Sequence, residues 1–253
     1  MSAKRLLPEQ ALIPYTAGFP PGRRWLVLAP HPDDEVFGIG ATLAQAVARG
    51  VDVRLVIVTD GAAQGDAPRR EGEARDSARE LGLGEPQFWR FPDRGIAPGD
   101  ARLRRAIAGA LRELEPDTVM VTSPVDLHPD HRSLALATQR ALRRRLALGL
   151  RRQAPSWLAA YEVTMPLRPN LLVAGDPAWD AKVRAAACYA SQLAYRPYDR
   201  IMEALSTYRS LTLDGVRHAE ALHVLPASRV ARMTARGWAQ EMGSPLGVTS
   251  ALG

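Results

Sequence analysis

The stretch Trp25-Leu26-Val27-Leu28-Ala29-Pro30-His31-Pro32-Asp33-Asp34-Glu35 passes from an apolar run into a knot of ionisable side chains, and the apolar-periodic segment Val36 to Ala48 follows at once. It reads as a strand, a short loop rich in ligand atoms, and a helix. In an open α/β sheet, ligands gather beyond the carboxyl ends of the strands, where helix N-termini point into the crevice. A histidine and several acids at such a partly buried place repel one another and lose hydration, unless a cation or shared protons offset them. A divalent metal is the simplest resolution.

Moving outward, Gly50 closes the helix at a position suited to a left-handed residue. Val51 to Thr59 follows with a near-continuous β-branched core, the pattern of a strand buried on both faces. Strand, helix and strand in this order make a parallel crossover, right-handed by strong precedent. The pattern then predicts a helix over 69–81, a strand over 87–91, a helix over 100–114 and a strand over 118–122. That last strand delivers a second cluster, Asp126-Leu127-His128-Pro129-Asp130-His131, and three of the chain's five histidines fall in the two clusters. Beyond it lie a long amphipathic helix over 132–150, strands over 157–165 and 170–173, helices over 179–193 and 199–211, a short strand over 220–225, and a helix-like tail to about 242. The expected fold is α/β: a single-domain, Rossmann-like three-layer αβα sandwich with a mostly parallel sheet, over residues 24–253. A Pro- and Gly-rich N-terminal arm over residues 1–23 precedes it.

His31 and Asp34, three residues apart in a loop, can hold one ion from one side, and His131 can complete a set of three. Two imidazoles and a carboxylate with open positions suit a hydrolytic zinc site and equally a non-haem iron oxygenase. Hydrolysis also needs an acid-base pair, which Asp33 as general base and His128 as general acid supply. Asp130 is expected to orient His128 and to raise its pKa through a nearby negative charge, and it also suits the start of the following helix. Glu35 reads as an ordinary acid of a first helical turn. Zn²⁺ is the expected cofactor, with Fe²⁺ or another divalent transition metal as alternatives.

The pairing of His31-Pro32-Asp33-Asp34-Glu35 with His128-Pro129-Asp130-His131 resembles the LmbE/PIG-L family of zinc-dependent N-deacetylases, many of which act on N-acetylglucosaminyl conjugates. The likeness runs from about residue 24 to about residue 225. It implies His31, Asp34 and His131 as metal ligands, Asp33 as base, and His128 with Asp130 as the acid pair. It implies further that Arg70, in Arg70-Glu71-Gly72-Glu73, reaches sugar hydroxyls while the glutamate supports the site, and that Asp93 is a sugar-binding acid. Ser191-Gln192 matches a late segment common in the family. Some sugar-conjugate members carry a tyrosine two residues before the first histidine of the second motif, where this chain has Asp126. The implied reaction is removal of an N-acetyl or other acyl group from an amino sugar in a glycoconjugate or natural product.

A Mg²⁺-dependent phosphoesterase built on Asp33, Asp34 and Glu35 is the rival enzyme, but Mg²⁺ prefers oxygen ligands and leaves the histidines idle. A non-catalytic nucleotide-binding protein would want a phosphate-cradling glycine loop after the first strand, whereas Gly38 and Gly40 sit within the helix and read as close-packing positions. The net charge of +6 would favour acidic partners, yet it is nearly all arginine spread along helices, Lys4 and Lys182 being the only lysines. No basic stretch is interleaved with aromatics as single-strand binders require. The expected partner is therefore a small molecule or glycoconjugate, not nucleic acid, with room for a homo-oligomer. Arg140, Arg143, Arg144 and Arg145 read as a solvated helix face.

One cysteine, Cys188, excludes an internal disulfide and reads as a small core residue. His223, between Leu222 and Val224, reads as a core or edge-strand residue. Pro8, Glu9 and Gln10 break any signal-peptide core, and no apolar run approaches the ~20 residues that span a bilayer. No stable membrane insertion and a cytoplasmic location are expected.

Overall fold

The computed structural model describes residues 13–150 and 154–243. Residues 1–12 of the expected arm, 151–153, and 244–253 of the expected domain lie outside the described residues. Within the arm, β1 (Thr16–Ala17) joins the edge of the sheet. Three parallel strands then form side by side: β2 (Arg24–Ala29), β3 (Asp52–Thr59) and β4 (Gln87–Phe91), linked by α1 (Asp34–Ala48) and α2 (Ala67–Glu80). The chain returns through α3 (Ala101–Leu114) to lay β5 (Thr118–Thr122) on the other side of β2. After α4 (Pro129–Ala147), β6 (Trp157–Tyr161) pairs outside β5. Then come β7 (Leu171–Ala174), α5 (Trp179–Ala187), α6 (Ala190–Leu193), α7 (Tyr198–Arg209) and β8 (Ala219–Pro226), followed by α8 (Ala227–Arg232) and α9 (Ala235–Glu241).

The result is an eight-stranded sheet in the order β1-β7-β8-β6-β5-β2-β3-β4, in which β8 alone runs antiparallel to its neighbours. The mostly parallel sandwich is as the sequence predicts; the antiparallel insertion of β8 between β6 and β7 is not. Alternate residues of β2 divide the core. Leu26 and Leu28 pack with Val119, Val121, α3 and α4, and Trp25, Val27 and Ala29 pack on the opposite face with Met120 and α1. Both faces are thereby covered, which is why these strands read as continuous apolar runs. The winding reverses between β2 and β5, whose register pairs Leu28 with Val121, so the loops leaving both strands open onto one crevice.

Helix α1 is broken at Ile39 (φ −137°, ψ 24°), and the groups freed there find buried partners. Lys182 Nζ donates to the Phe37 carbonyl (3.1 Å) and to Glu220 Oε1 (2.7 Å), while the Glu220 carboxylate accepts from the amides of Ala41 (2.9 Å) and Thr42 (2.7 Å). The pair thus serves as end caps for a helix interrupted inside the protein.

Gly38 and Gly40 are close-packing positions, as the sequence predicts. A Cβ at Gly38 would lie 2.6 Å from Tyr161 Cδ2 and 2.8 Å from the Glu162 carbonyl oxygen. Gly38→Ala gains about 1 kcal/mol of helix propensity, but overpacking against a backbone oxygen costs about 1–3 kcal/mol. We expect a net loss, read as a lower melting temperature; a melting temperature above the parent's would show that the contact relaxes.

Three expectations are corrected. The helix over 179–193 is two helices, because Tyr189 turns inward between α5 and α6 and is fully buried. Cys188, beside that turn, is half-buried instead of core. Arg140, Arg143 and Arg144 are exposed as a solvated face requires, but Arg145 is buried, since it lies on the side of α4 turned toward the protein. His223 sits buried on β8, its Nδ1 3.0 Å from the Arg168 carbonyl oxygen. No helix among the described residues is long and apolar enough to cross a membrane.

Candidate metal and active site

The loop after β2 and the start of α4 bring His31, Asp34 and His131 together across about a hundred residues of chain. His31 Nδ1 lies 3.0 Å from Asp34 Oδ2, His131 Nε2 lies 3.1 Å from the same oxygen, and the two nitrogens are 3.3 Å apart. Ligands about 2.0–2.2 Å from a tetrahedral zinc are separated by roughly 3.3–3.6 Å. The triangle is therefore close to the footprint that such an ion requires, and the donor set of two imidazoles and one carboxylate fits it. All three side chains are buried. Without a cation the cluster is held by protons. Burial pulls the His131 pKa down, but Asp34 and Asp126 overcome this and push it up to about 9. Burial likewise opposes ionisation of Asp34, yet His131 and His31 hold it well below the usual carboxylate range.

The outer nitrogen of each imidazole faces carboxylates. His31 Nε2 is 3.3 Å from Asp130 Oδ2 and 3.2 Å from Asp93 Oδ1; His131 Nδ1 is 3.3 Å from Asp126 Oδ1. Donor atoms of His31, Asp93 and Asp130 also fall within reach of one ion, as do those of His31, His128 and His131. We read the first set as the backing of a ligating imidazole, because carboxylates behind the outer nitrogen fix its tautomer and orientation. Asp126 is in turn held by the amides of His128 (3.0 Å) and Thr164 (3.2 Å) and by the Thr164 hydroxyl. Its support of His131 does not follow from spacing; the one signal in the sequence is an acid set between Val125 and Leu127. We expect Asp126→Asn to weaken metal affinity about 10–100-fold, the usual cost of losing such a partner. Unchanged affinity in a competition titration against a chelator would remove Asp126 from the site.

Asp130 does not orient His128 through its carboxylate. That carboxylate accepts from the Arg94 amide (2.7 Å) and lies on His31, while the Asp130 amide donates to His128 Nδ1 (3.2 Å). The two are i and i+2 at the start of α4, and residues so spaced on a helix do not face each other. His128, not Asp130, is the N-cap. With Nδ1 accepting, the neutral ring carries its proton on Nε2. Its pKa is lowered, by burial first and then by repulsion from His31 and His131; the Asp130 charge acts upward as expected but is outweighed.

Asp33 precedes α1 with φ 120°, a strained conformation for a residue with a Cβ, and of the kind that gathers at functional sites. Its neighbours hold it there. Arg70 donates to Asp33 Oδ2 (3.0 Å) and to the carbonyls of Pro32 (2.5 Å) and Gly61 (3.0 Å), and the Asp33 amide donates to Glu35 Oε2 (3.2 Å). Burial pushes the Asp33 pKa up to about 8 despite Arg70. Glu35 lies in the first turn as expected, but it is fully buried and accepts from the Tyr189 hydroxyl (2.5 Å). Glu73 accepts from the Ser191 amide (2.9 Å) and hydroxyl (2.5 Å), which gives the Ser191-Gln192 segment a role as an anchor for α2. Arg70 and Asp93, the expected substrate contacts, both line the cleft.

The cleft, about 340 Å³, has His31, Asp33, Asp34, His128 and His131 on its floor. Fold and site together describe an α/β protein whose cleft floor gathers two histidines and a carboxylate on one point, and the comparisons bear on its family. A model of the PIG-L family, described as GlcNAc-PI de-N-acetylase, matches residues 26–142. Diacetylchitobiose deacetylase of Thermococcus kodakarensis is 26% identical over 228 residues, 81% of this chain and 84% of that protein. A 1D-myo-inositol 2-acetamido-2-deoxy-alpha-D-glucopyranoside deacetylase of Mycolicibacterium paratuberculosis is 34% identical over 143 residues, 43% of this chain and 47% of that one. The structure of a conserved protein from Thermus thermophilus superposes with a TM-score of 0.69 at 32% identity, over 80% of this chain and 94% of that chain. Over residues 26–142 the chain thus matches the PIG-L family, and the named relatives among these proteins are deacetylases.

Proposed function

We propose that the protein is a zinc-dependent amidohydrolase that removes an N-acetyl group from an amino sugar in a glycoconjugate or natural product. His31, Asp34 and His131 would hold the ion, and the triangle of 3.0, 3.1 and 3.3 Å is the observation that carries the reading. When bound, the ion supplies a lowered pKa for water and polarisation of the amide carbonyl. Asp33, kept at the cleft floor by Arg70, takes the proton from the attacking water. His128, presented by its bond from the Asp130 amide, offers Nε2–H to the carbonyl oxygen as negative charge develops. As general acid, His128 gives a proton to the departing nitrogen, and the proton taken up by Asp33 leaves to solvent, from which His128 is recharged. Asp93, Asp126 and Asp130 keep the two imidazoles in place.

Incubating the metal-loaded protein with N-acetylglucosamine conjugates and assaying free amine tests this directly. Amine release that disappears on chelation and returns with added zinc is the expected result. Cleavage of phosphate esters with no amide hydrolysis would overturn it.

A further inference from the structure

The floor of the cleft is polar, but its wall is not. Tyr198, Ile201, Met202 and Leu205 of α7 follow the i, i+3, i+4, i+7 spacing of one helix face and all line the cleft, together with Leu127 and Val163 from the loops after β5 and β6. Leu127 is 64% exposed and Ile201 50% exposed. Single exposed aliphatic side chains need no explanation, but these flank one concavity that leads to the reactive centre, where an apolar lining shapes what binds.

Few polar groups stand along this wall, and several of them are already in contact with the protein. The Thr164 amide and hydroxyl both donate to Asp126, and the Arg196 guanidinium lies over the Tyr195 ring at 5.5 Å. Tyr198 packs its ring against Phe37 at 5.5 Å. A second sugar seated along Ile201, Met202 and Leu205 would strip water from several hydroxyls while those aliphatic side chains offer them no partner, and unpaired polar groups are penalised heavily in recognition. A hydrocarbon suffers no such loss and would cover Leu127 and Ile201.

We propose that the substrate group lying along α7 is an alkyl chain of several carbons, attached next to the reactive amide, and not a further sugar ring. This rests on the amidohydrolase reading above and narrows its substrate class. The chain has two chemical sources, a longer acyl group on the nitrogen or an alkyl aglycone on the sugar.

Four compounds separate these cases: N-acetylglucosamine, its hexyl glycoside, N-hexanoylglucosamine and N,N'-diacetylchitobiose. The kcat/KM for amine release is measured for each, and each is also titrated calorimetrically into Asp33→Asn. Each buried methylene is worth roughly fourfold, so burying four of them raises kcat/KM about 10²-fold for whichever hexyl compound presents its chain to α7. The other arm then identifies the source by staying low. In the double variant Ile201→Ser, Leu205→Ser the ratio of the preferred hexyl compound to N-acetylglucosamine falls at least about fivefold, as lost apolar contact requires. Ratios near one for both hexyl compounds, or a disaccharide preferred over both, would overturn the proposal while leaving the hydrolase intact. If no compound releases amine, the hydrolase reading fails, and the calorimetric affinities still decide whether α7 receives a chain.

Discussion

Purified His131→Ala is expected to contain less than about a tenth of an ion per chain, against about one for the parent, and to lose turnover by about 10³-fold or more. The side chain supplies one of three atoms in the triangle, and a site reduced to His31 and Asp34 falls below the count a catalytic zinc needs. His131 is also the main partner holding Asp34 ionised once burial is counted, so its removal weakens the remaining carboxylate as a ligand. Metal content by elemental analysis is the readout, with circular dichroism melting to confirm that the variant folds. A folded variant with a full complement of metal would place the ligand elsewhere.

The same histidine sets a pH dependence. In the metal-free protein its pKa is raised to about 9, so at neutral pH it is protonated and the ion must displace that proton. Apparent affinity should therefore rise with pH, about tenfold per unit for each proton released, and level off above about pH 9. Affinity that is flat between pH 6 and 8 would contradict the proton-held cluster.

Asp33→Asn is expected to keep its metal and lose at least about 10²-fold in turnover, the usual scale for a positioned base. The exchange preserves shape, and asparagine carries the same Cβ as aspartate, so the backbone strain at this φ is unchanged. An amide oxygen can still accept from Arg70, so the loop should hold its place. What disappears is an oxygen able to take a proton, and burial has raised that oxygen's proton affinity into the range useful near neutral pH. Full activity in a metal-replete variant would assign the base to another residue.

Much of this was legible along the chain. The parallel strands announced themselves as continuous apolar runs, and each motif sat where a strand gives way to a helix, so the membership of the His31, Asp34, His131 triangle followed once both loops were placed at strand ends. Several of the departures involve partners distant in sequence. Tyr189 reaches Glu35 from 154 residues away, and that contact goes with the break between α5 and α6 that periodicity could not show. Lys182 and Glu220, ordinary charges on a helix and a strand, became internal caps only because α1 breaks beneath them. β8 is antiparallel because of where the chain re-enters the sheet, a choice its own residues do not record.

Residue types and their local spacing determined by themselves that this protein has buried strands ending in two clusters of nitrogen and oxygen donors. Strand order decided that the clusters meet, since only the reversal of winding between β2 and β5 sets those two loops side by side. The assignment of carboxylates, Asp130 and Asp93 to His31 and Asp126 to His131, was likewise decided in three dimensions. Neighbours two apart at a helix start point different ways, and each finds its partner across the crevice instead of along the chain.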